Sequence, residues 1–88
     1  SWLLGSDVVG IYRHNAGRAR HIIDAPSHPK WKEKCASTAR IEPSMIKSLM
    51  ENGKTLQKGM KVHLSKIQVK AISSNRFECK AVKVEVLD

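Results

Sequence analysis

Cations that could bind phosphate groups are concentrated in one stretch of the chain, residues 13–40. That stretch holds seven Lys and Arg but only two acids, Asp24 and Glu33. Such cations form charge-assisted hydrogen bonds with phosphate, and in loops they can converge on it without helical geometry. Trp31 lies between two of the lysines, where its ring could stack on a nucleobase or fold back as a lid on the domain. The predicted nucleic-acid-binding residues are Arg13, Arg18, Arg20, Lys30, Trp31, Lys32, Lys34 and Arg40.

The charge of the whole chain favours the same kind of partner. Its 88 residues include 16 Lys and Arg against 8 Asp and Glu, a formal net charge of +8. An excess of this size attracts polyanions such as RNA or single-stranded DNA before any detailed contact forms. An acidic protein surface is the other partner that it fits. No apolar run approaches the ~20 residues of a membrane helix, so no membrane partner is expected. We expect the isolated domain to be a monomer.

Aromatic side chains are too few for a stacking platform of the usual kind. Binders that stack single-stranded bases present several rings on adjacent strands, whereas this chain has Trp2, Tyr12, Trp31 and Phe77 alone. Contacts with the phosphate backbone should therefore dominate, and sequence preference should be weak.

Metal binding and catalysis have little support in the residue pattern. His14, His21, His28 and Cys35 recur every seven residues, a spacing that matches no zinc module built from close ligand pairs. Serine-hydrolase, phosphate-loop and zinc-protease motifs are all absent from the sequence. We therefore expect no cofactor, no metal and no catalytic residue, which makes the chain a non-enzymatic domain.

The two cysteines, Cys35 and Cys79, bear on the cellular compartment. A secreted domain this small would normally need more disulfides. The apolar cluster Trp2-Leu3-Leu4 is far shorter than the core of a signal peptide. We predict two reduced thiols in a cytoplasmic or nuclear protein, and a single Cys35–Cys79 bridge is the alternative.

Alternating apolar residues in the second half predict two bent strands. Along residues 60–71 the alternation changes phase at Ser65–Lys66, and along residues 77–86 it changes phase at Ala81–Val82. A slip of one residue moves every later side chain to the other face. Two such slips predict bulges or sharp bends, which small closed barrels need.

One short helix is predicted over residues 43–52. Pro43 suits the first helical position, and Gly53 can cap the C-terminal end. The first half predicts short strands separated by loops. These segments are a strand at 7–12, a loop at 14–17, a strand at 18–24, an irregular loop at 25–37 and a third strand at 39–41.

This order of elements predicts a mostly-β chain with one short helix, forming a single domain over residues 1–88. A small five-stranded OB-like barrel carries a helix after its third strand, where residues 43–52 fall. An SH3-like barrel is the alternative. The sequence starts at Ser1 rather than Met, so we expect a module excised from a longer protein.

Three segments resemble cold-shock-like OB domains. The ending at 77–86 looks like their last strand with its KAxxV pattern, and residues 56–62 look like the entry to their fourth strand. Val8-Val9-Gly10 with Ile22-Ile23-Asp24 is similar, more loosely, to their first two strands. The resemblance implies an OB fold that binds nucleic acid, often appended to an RNA helicase. The family's base-stacking aromatics have no counterpart at 18–24, so no base-contacting role is transferred.

Two functions therefore stay open. The first is a non-enzymatic module that contacts RNA or single-stranded DNA mainly through phosphates, within a larger RNA- or DNA-processing protein such as a helicase. The alternative is a protein-interaction module that docks an acidic or hydrophobic peptide.

Overall fold

β-Strands are the commonest regular element of the structure, a computed structural model that describes residues 7–87. The segment Trp2-Leu3-Leu4, considered above as a possible signal sequence, lies outside the described residues. The elements in chain order are β1 (Val8–Gly17), β2 (Arg20–Asp24), α1 (Pro29–Cys35), β3 (Thr38–Arg40), α2 (Pro43–Glu51), β4 (Lys61–Ser65), β5 (Gln68–Ala71), β6 (Phe77–Lys80) and β7 (Lys83–Leu87).

The strands form one sheet in the order β5-β6-β3-β2-β1-β4-β7. Neighbouring strands are antiparallel except β3 and β6, which run parallel at Arg40 and Lys80. The prediction of a mostly-β domain is confirmed. The sheet of the described residues has seven strands, and it is not closed into a barrel, whereas the sequence predicts five strands in a closed one.

The extra strands arise from the two predicted phase slips. β4 ends at Ser65 and β5 begins at Gln68, with Lys66 between them in the left-handed region (φ 53°). β6 ends at Lys80 and β7 begins at Lys83. Each bend interrupts the pairing and divides one long strand into two short ones. The C-terminal hairpin therefore pairs with β1 through β4 and with β3 through β6.

The first hairpin turns later than the sequence predicts. β1 continues through the expected loop at 14–17, and its pairing with β2 shifts twice, between Tyr12 and His14 and between Asn15 and Gly17. The turn itself is Arg18-Ala19, with φ values of 55° and 61°. Positive φ at both positions is typical of the type I′ two-residue hairpin turn, whose twist matches the flanking strands. The apolar pattern did not reveal this turn because neither residue is Gly or Asn.

Helix α1 occupies part of the expected irregular loop at 25–37, and that loop prediction is wrong. Pro29 stands at the start of the helix, a position that tolerates proline because its missing N–H would have no intrahelical partner. Trp31 and Cys35 are four residues apart, so they lie on one face of the helix, and both are buried. The helix predicted at 43–52 is confirmed as α2.

The core lies between the inner face of the sheet and helix α1. Trp31 is fully buried, and its indole Nε1 donates a hydrogen bond to the Ile23 carbonyl (2.9 Å). At Gly10 a Cβ would stand 2.5 Å from the carbonyl oxygen of Asp24, so β1 and β2 approach too closely there for any side chain. Helix α2 has no buried residue and covers the core only partly, through Met45, Ile46 and Leu49.

The two cysteines form a disulfide, which corrects the prediction of reduced thiols. Cys35, at the end of α1, is bonded to Cys79 of β6 across a separation of 44 residues. The two Cα atoms are 6.0 Å apart, a separation that a disulfide can span. Both side chains belong to the buried core, with exposures of 4% and 2%. Within residues 7–87 no helix has the length and apolar content to cross a bilayer. The cytoplasmic or nuclear location stays a prediction.

Removal of this disulfide should destabilise the domain strongly. Closing a loop of 44 residues lowers the entropy of the unfolded chain, and for that length the effect is about 4 kcal/mol. We expect the double variant Cys35→Ser, Cys79→Ser to lose about that much unfolding free energy in urea titrations. The same titration in excess dithiothreitol is the control, since the reduced parent chain should then match the variant. Equal stability of oxidised parent and variant would contradict the expectation.

The core also contains a buried polar pair, Tyr12 and His21. The Tyr12 hydroxyl and Nδ1 of His21 share a hydrogen bond of 2.7 Å, and both residues are at most 5% exposed. Burial lowers the pKa of His21 and raises the pKa of Tyr12, because each charged form would lose its hydration. His21 is therefore neutral in the folded domain near pH 7.

The pKa of His21 makes stability depend on pH. The unfolded chain binds a proton at His21 near pH 6.5, while the folded state resists protonation, so stability should fall as pH decreases below about 6.5. Unfolding free energies of the parent chain and of His21→Gln, measured in urea from pH 7.5 to 5, check this. The variant should show a shallower pH dependence, and parallel profiles would contradict the assignment.

Candidate nucleic-acid interface

A basic cleft crosses the outer surface of the domain where α1, β3 and the β5–β6 hairpin meet. Its volume is about 310 Å³. One wall is the C-terminal end of α1, and the opposite wall is the hairpin around Asn75 and Arg76. The residues lining it are Arg20, Glu33, Lys34, Cys35, Ala36, Thr38, Arg40, Ile72, Asn75, Arg76, Phe77, Glu78 and Cys79.

Three cations stand side by side on adjacent strands, and two of them, Arg20 and Arg40, line this cleft. Arg20 of β2 is the register partner of Arg40 of β3, and Arg40 is the partner of Lys80 of β6. Direct partners have their Cβ atoms about 5 Å apart and project from the same face. His21, which follows Arg20, and Cys79, which precedes Lys80, are buried. Successive side chains of a strand point to opposite faces. The cation row Arg20–Arg40–Lys80 therefore projects outward.

Glu42 supplies an anion to this row. Its Oε1 lies 3.3 Å from Nε of Arg40 and 3.5 Å from Nζ of Lys80. The hydrogen bond from Arg40 and the charge of Lys80 lower the pKa of the Glu42 carboxyl. The carboxylate is thus held in its charged form at a place where two cations could hold a phosphate oxygen.

The side chains that line the cleft have a net positive charge. Its four cations, Arg20, Lys34, Arg40 and Arg76, outnumber its two carboxylates, Glu33 and Glu78. Lys34 contacts Glu33 (3.8 Å) and also lies over the ring of Phe77, 5.9 Å from its centroid. A cation at this distance from a ring is attracted to its π face, so Lys34 links the wall formed by α1 to β6.

Three of the eight sequence-predicted residues meet in the cleft: Arg20, Lys34 and Arg40. The other cations lie elsewhere. Arg13 pairs with Asp24 at 3.0 Å, and Lys30 pairs with Glu33 at 3.5 Å. Arg18 is part of the β1–β2 turn, and Lys32 is exposed on α1.

Trp31 does not have the stacking role considered for it. The ring is 0% exposed and its only polar atom is hydrogen-bonded to the backbone. A base could reach it only if the core opened. The lid interpretation is the one that agrees with the structure.

Two cations of the site were not predicted from the sequence. Arg76 follows the turn-forming residues Ser73-Ser74-Asn75, and Lys80 is one of the polar residues that alternate along β6. Their local sequence does not distinguish them from solvent-exposed lysines elsewhere. The alternation along β6 does indicate that the Lys80 side chain points outward. That Arg40 lies beside it follows only from the pairing of β3 with β6.

Within residues 7–87 no group of three His, Cys, Asp or Glu side chains is arranged to hold a metal ion. Comparison of the chain with protein-family models, with curated protein sequences and with solved structures finds no match.

Neutralising Glu42 should strengthen binding of a polyanion at the cation row. We expect Glu42→Gln to raise the affinity for a single-stranded oligonucleotide about two- to fivefold, the value of one exposed ion pair, because Arg40 and Lys80 lose their competing partner. Fluorescence anisotropy with a labelled 12-mer at low salt measures it. Glu51→Gln, which makes the same charge change on α2, is the matched control. An equal gain in both variants would show only the effect of net charge.

Proposed function

We propose that this chain is a non-enzymatic nucleic-acid-binding module, which holds RNA or single-stranded DNA in the basic cleft mainly through phosphates. The observation that carries the proposal is the cation row Arg20–Arg40–Lys80, whose two arginines line a cleft that also contains Lys34 and Arg76. Cations fixed on neighbouring strands are preorganised, so less side-chain entropy is lost when phosphates bind.

The chemistry of the cleft favours backbone recognition over base recognition. Phe77 is the only aromatic side chain among the described residues that line it, and Lys34 lies over its ring. Thr38 and Asn75 add neutral hydrogen-bonding groups. Phosphate contacts position a strand but carry no sequence information, so the proposed binding has weak sequence preference.

We also propose an OB-like path for the chain. If β4–β5 and β6–β7 are each counted as one bent strand, the observed pairs connect five strands in the order 1-2-3-5-4, with strand 4 also beside strand 1, although the sheet is not closed into a barrel. Helix α2 then follows the third strand, as in OB folds. OB domains bind oligonucleotides on the face of strands two and three and on the adjoining loops. The basic cleft lies at the corresponding strands β2 and β3, which supports oligonucleotide binding there. We also propose that the module belongs to a larger RNA- or DNA-processing protein such as a helicase.

A second candidate function rests on a different surface. An apolar groove of about 600 Å³ lies beside α2 and is lined by Ile41, Ile46 and Met50. Met50 is 59% exposed, and the groove has more the character of a peptide site than of a phosphate site. This favours the protein-interaction alternative, in which a hydrophobic peptide docks against α2.

The salt dependence of oligonucleotide binding tests the first function. Three phosphate contacts predict a slope of about 2 in log K against log salt, since each contact on a single strand contributes ~0.7. Affinity should then fall about 20-fold between 50 and 200 mM salt. The double variant Arg20→Gln, Arg40→Gln should bind more weakly and lower the slope by about 1.4.

A matched pair of variants controls for net charge. Lys58→Gln with Lys61→Gln removes two exposed cations, one from the turn before β4 and one from β4 itself. This pair should leave the slope near that of the parent chain. If both double variants weaken binding equally, or if the parent affinity hardly changes with salt, the cleft is not the binding site. Binding of an apolar peptide that Met50→Ser abolishes would support the second function instead.

A further inference from the structure

We propose that the Cys35–Cys79 disulfide is a redox lock on the basic cleft. In the oxidised state it holds the C-terminal end of α1 as one wall of the cleft, and reduction releases that wall. The effect on oligonucleotide affinity rests on the proposed function, whereas the release itself is a property of the fold.

Both cysteines lie where the lock would have to act. Cys35 directly follows Lys34 at the end of α1, and Cys79 lies on β6 between Glu78 and Lys80. Both cysteines are among the residues that line the cleft. A covalent bond at this point fixes the distance between the α1 wall and the strand that carries Lys80.

Helix α1 has two separate anchors. Its first half is held by Trp31, which is buried and hydrogen-bonded to Ile23, a contact that does not involve the disulfide. Its last turn is held covalently by Cys35 and more weakly by Lys34, which lies over the ring of Phe77. Reduction therefore removes the covalent anchor at the cleft and leaves the anchor in the core.

The backbone after Cys35 has an unfavourable conformation, which local hydrogen bonds hold: the amides of Ala36 and Ser37 both donate to the Trp31 carbonyl. Ala36 and Ser37 are consecutive residues in the left-handed region, with φ values of 52° and 56°. This conformation is unfavourable for residues that carry a Cβ. On the far side, the Ser37 carbonyl accepts a hydrogen bond from the Ile23 amide (2.9 Å). The stretch 33–36, which contains Lys34, is thus the segment that loses its covalent tie to β6 on reduction.

The reaction is a thiol–disulfide exchange with a dithiol. One thiolate of the dithiol attacks a sulfur of the Cys35–Cys79 bond and forms a mixed disulfide. The second thiol of the reagent then displaces the remaining cysteine. Two electrons pass to the disulfide, two protons complete the thiols of Cys35 and Cys79, and the dithiol becomes a cyclic disulfide. Since both cysteines are almost fully buried, attack requires a local opening of the α1 end.

The proposed lock would respond to the redox state of the cytoplasmic or nuclear compartment predicted from the sequence. Cytoplasmic and nuclear proteins are kept reduced, and their disulfides are usually transient and redox-sensing. A domain in such a compartment would have a released wall until oxidation closes the bond.

The test compares the oxidised and dithiothreitol-reduced 88-residue chain at 15 °C in sucrose, which favours the folded state. Amide chemical shifts and hydrogen exchange report the structure, and anisotropy with a labelled 12-mer reports affinity. On reduction we expect changes confined to residues 33–37 and 76–80. Kd should rise about tenfold, which corresponds to the loss of one charge-assisted hydrogen bond. Reoxidation should restore both. Cys79→Ser should match the reduced state, and dithiothreitol should change neither its amide shifts nor its Kd.

Three outcomes overturn the lock. Loss of the amide pattern across the whole sheet on reduction would make the disulfide a structural staple. Unchanged exchange at 33–37 would show that the wall does not depend on the bond, and released residues with an unchanged Kd would show that it does not serve the cleft. If neither redox state binds the 12-mer, the proposed function fails, and exchange at 33–37 still decides whether the disulfide holds the wall.

Discussion

The C-terminal hairpin pairs with two different strands of the N-terminal meander because it bends, and the remainder of the architecture depends on this. The meander β1–β2–β3 has two open edges. β4 covers the β1 edge and β6 covers the β3 edge, although both belong to the same hairpin. A straight hairpin could cover only one of them. The bend costs a left-handed residue at Lys66, an energy of order 1 kcal/mol that pairing at both edges offsets.

This double pairing also creates the basic cleft. It brings Lys80 beside Arg40, and it places the tip of the hairpin with Arg76 across from helix α1. No single element carries the site. The cation row spans three strands, and its opposite wall belongs to a helix inserted between two of them. Any change in the pairing of β3 with β6 would separate the cations that the row holds together.

Stability and the site are coupled through residues that serve both. An 88-residue domain buries a modest share of its surface, so its margin of stability is small. Here the core and the cleft share Cys35 and Cys79, and Trp31 fills the core beneath α1. The helix that completes the cleft is also the helix that covers the core. Glu42 connects the start of α2 to the same row of cations.

Electrostatics act at two ranges in this domain. The net charge of the chain attracts polyanions over distances comparable with the screening length, wherever the cations lie. Cations on exposed turns and on the outer side of α1 contribute to that attraction, and some of them are paired with acids. The proposed binding of an oligonucleotide in one orientation requires cations held at defined separations, and the pairing of β2, β3 and β6 provides such separations at the row.

Local patterns in the sequence determined the mostly-β class, the bends at residues 65–66 and 81–82, and helix α2, because periodicity and end signals act within a few neighbouring residues. The same patterns do not predict α1, because two prolines in this segment indicate a loop although Pro29 begins the helix. They did not decide whether Trp31 stacks on a base or covers the domain as a lid, and they predicted Cys35 as a reduced thiol. Only the tertiary structure decided these points, since burial of the indole, the disulfide across 44 residues and the β3–β6 pairing depend on contacts between distant parts of the chain.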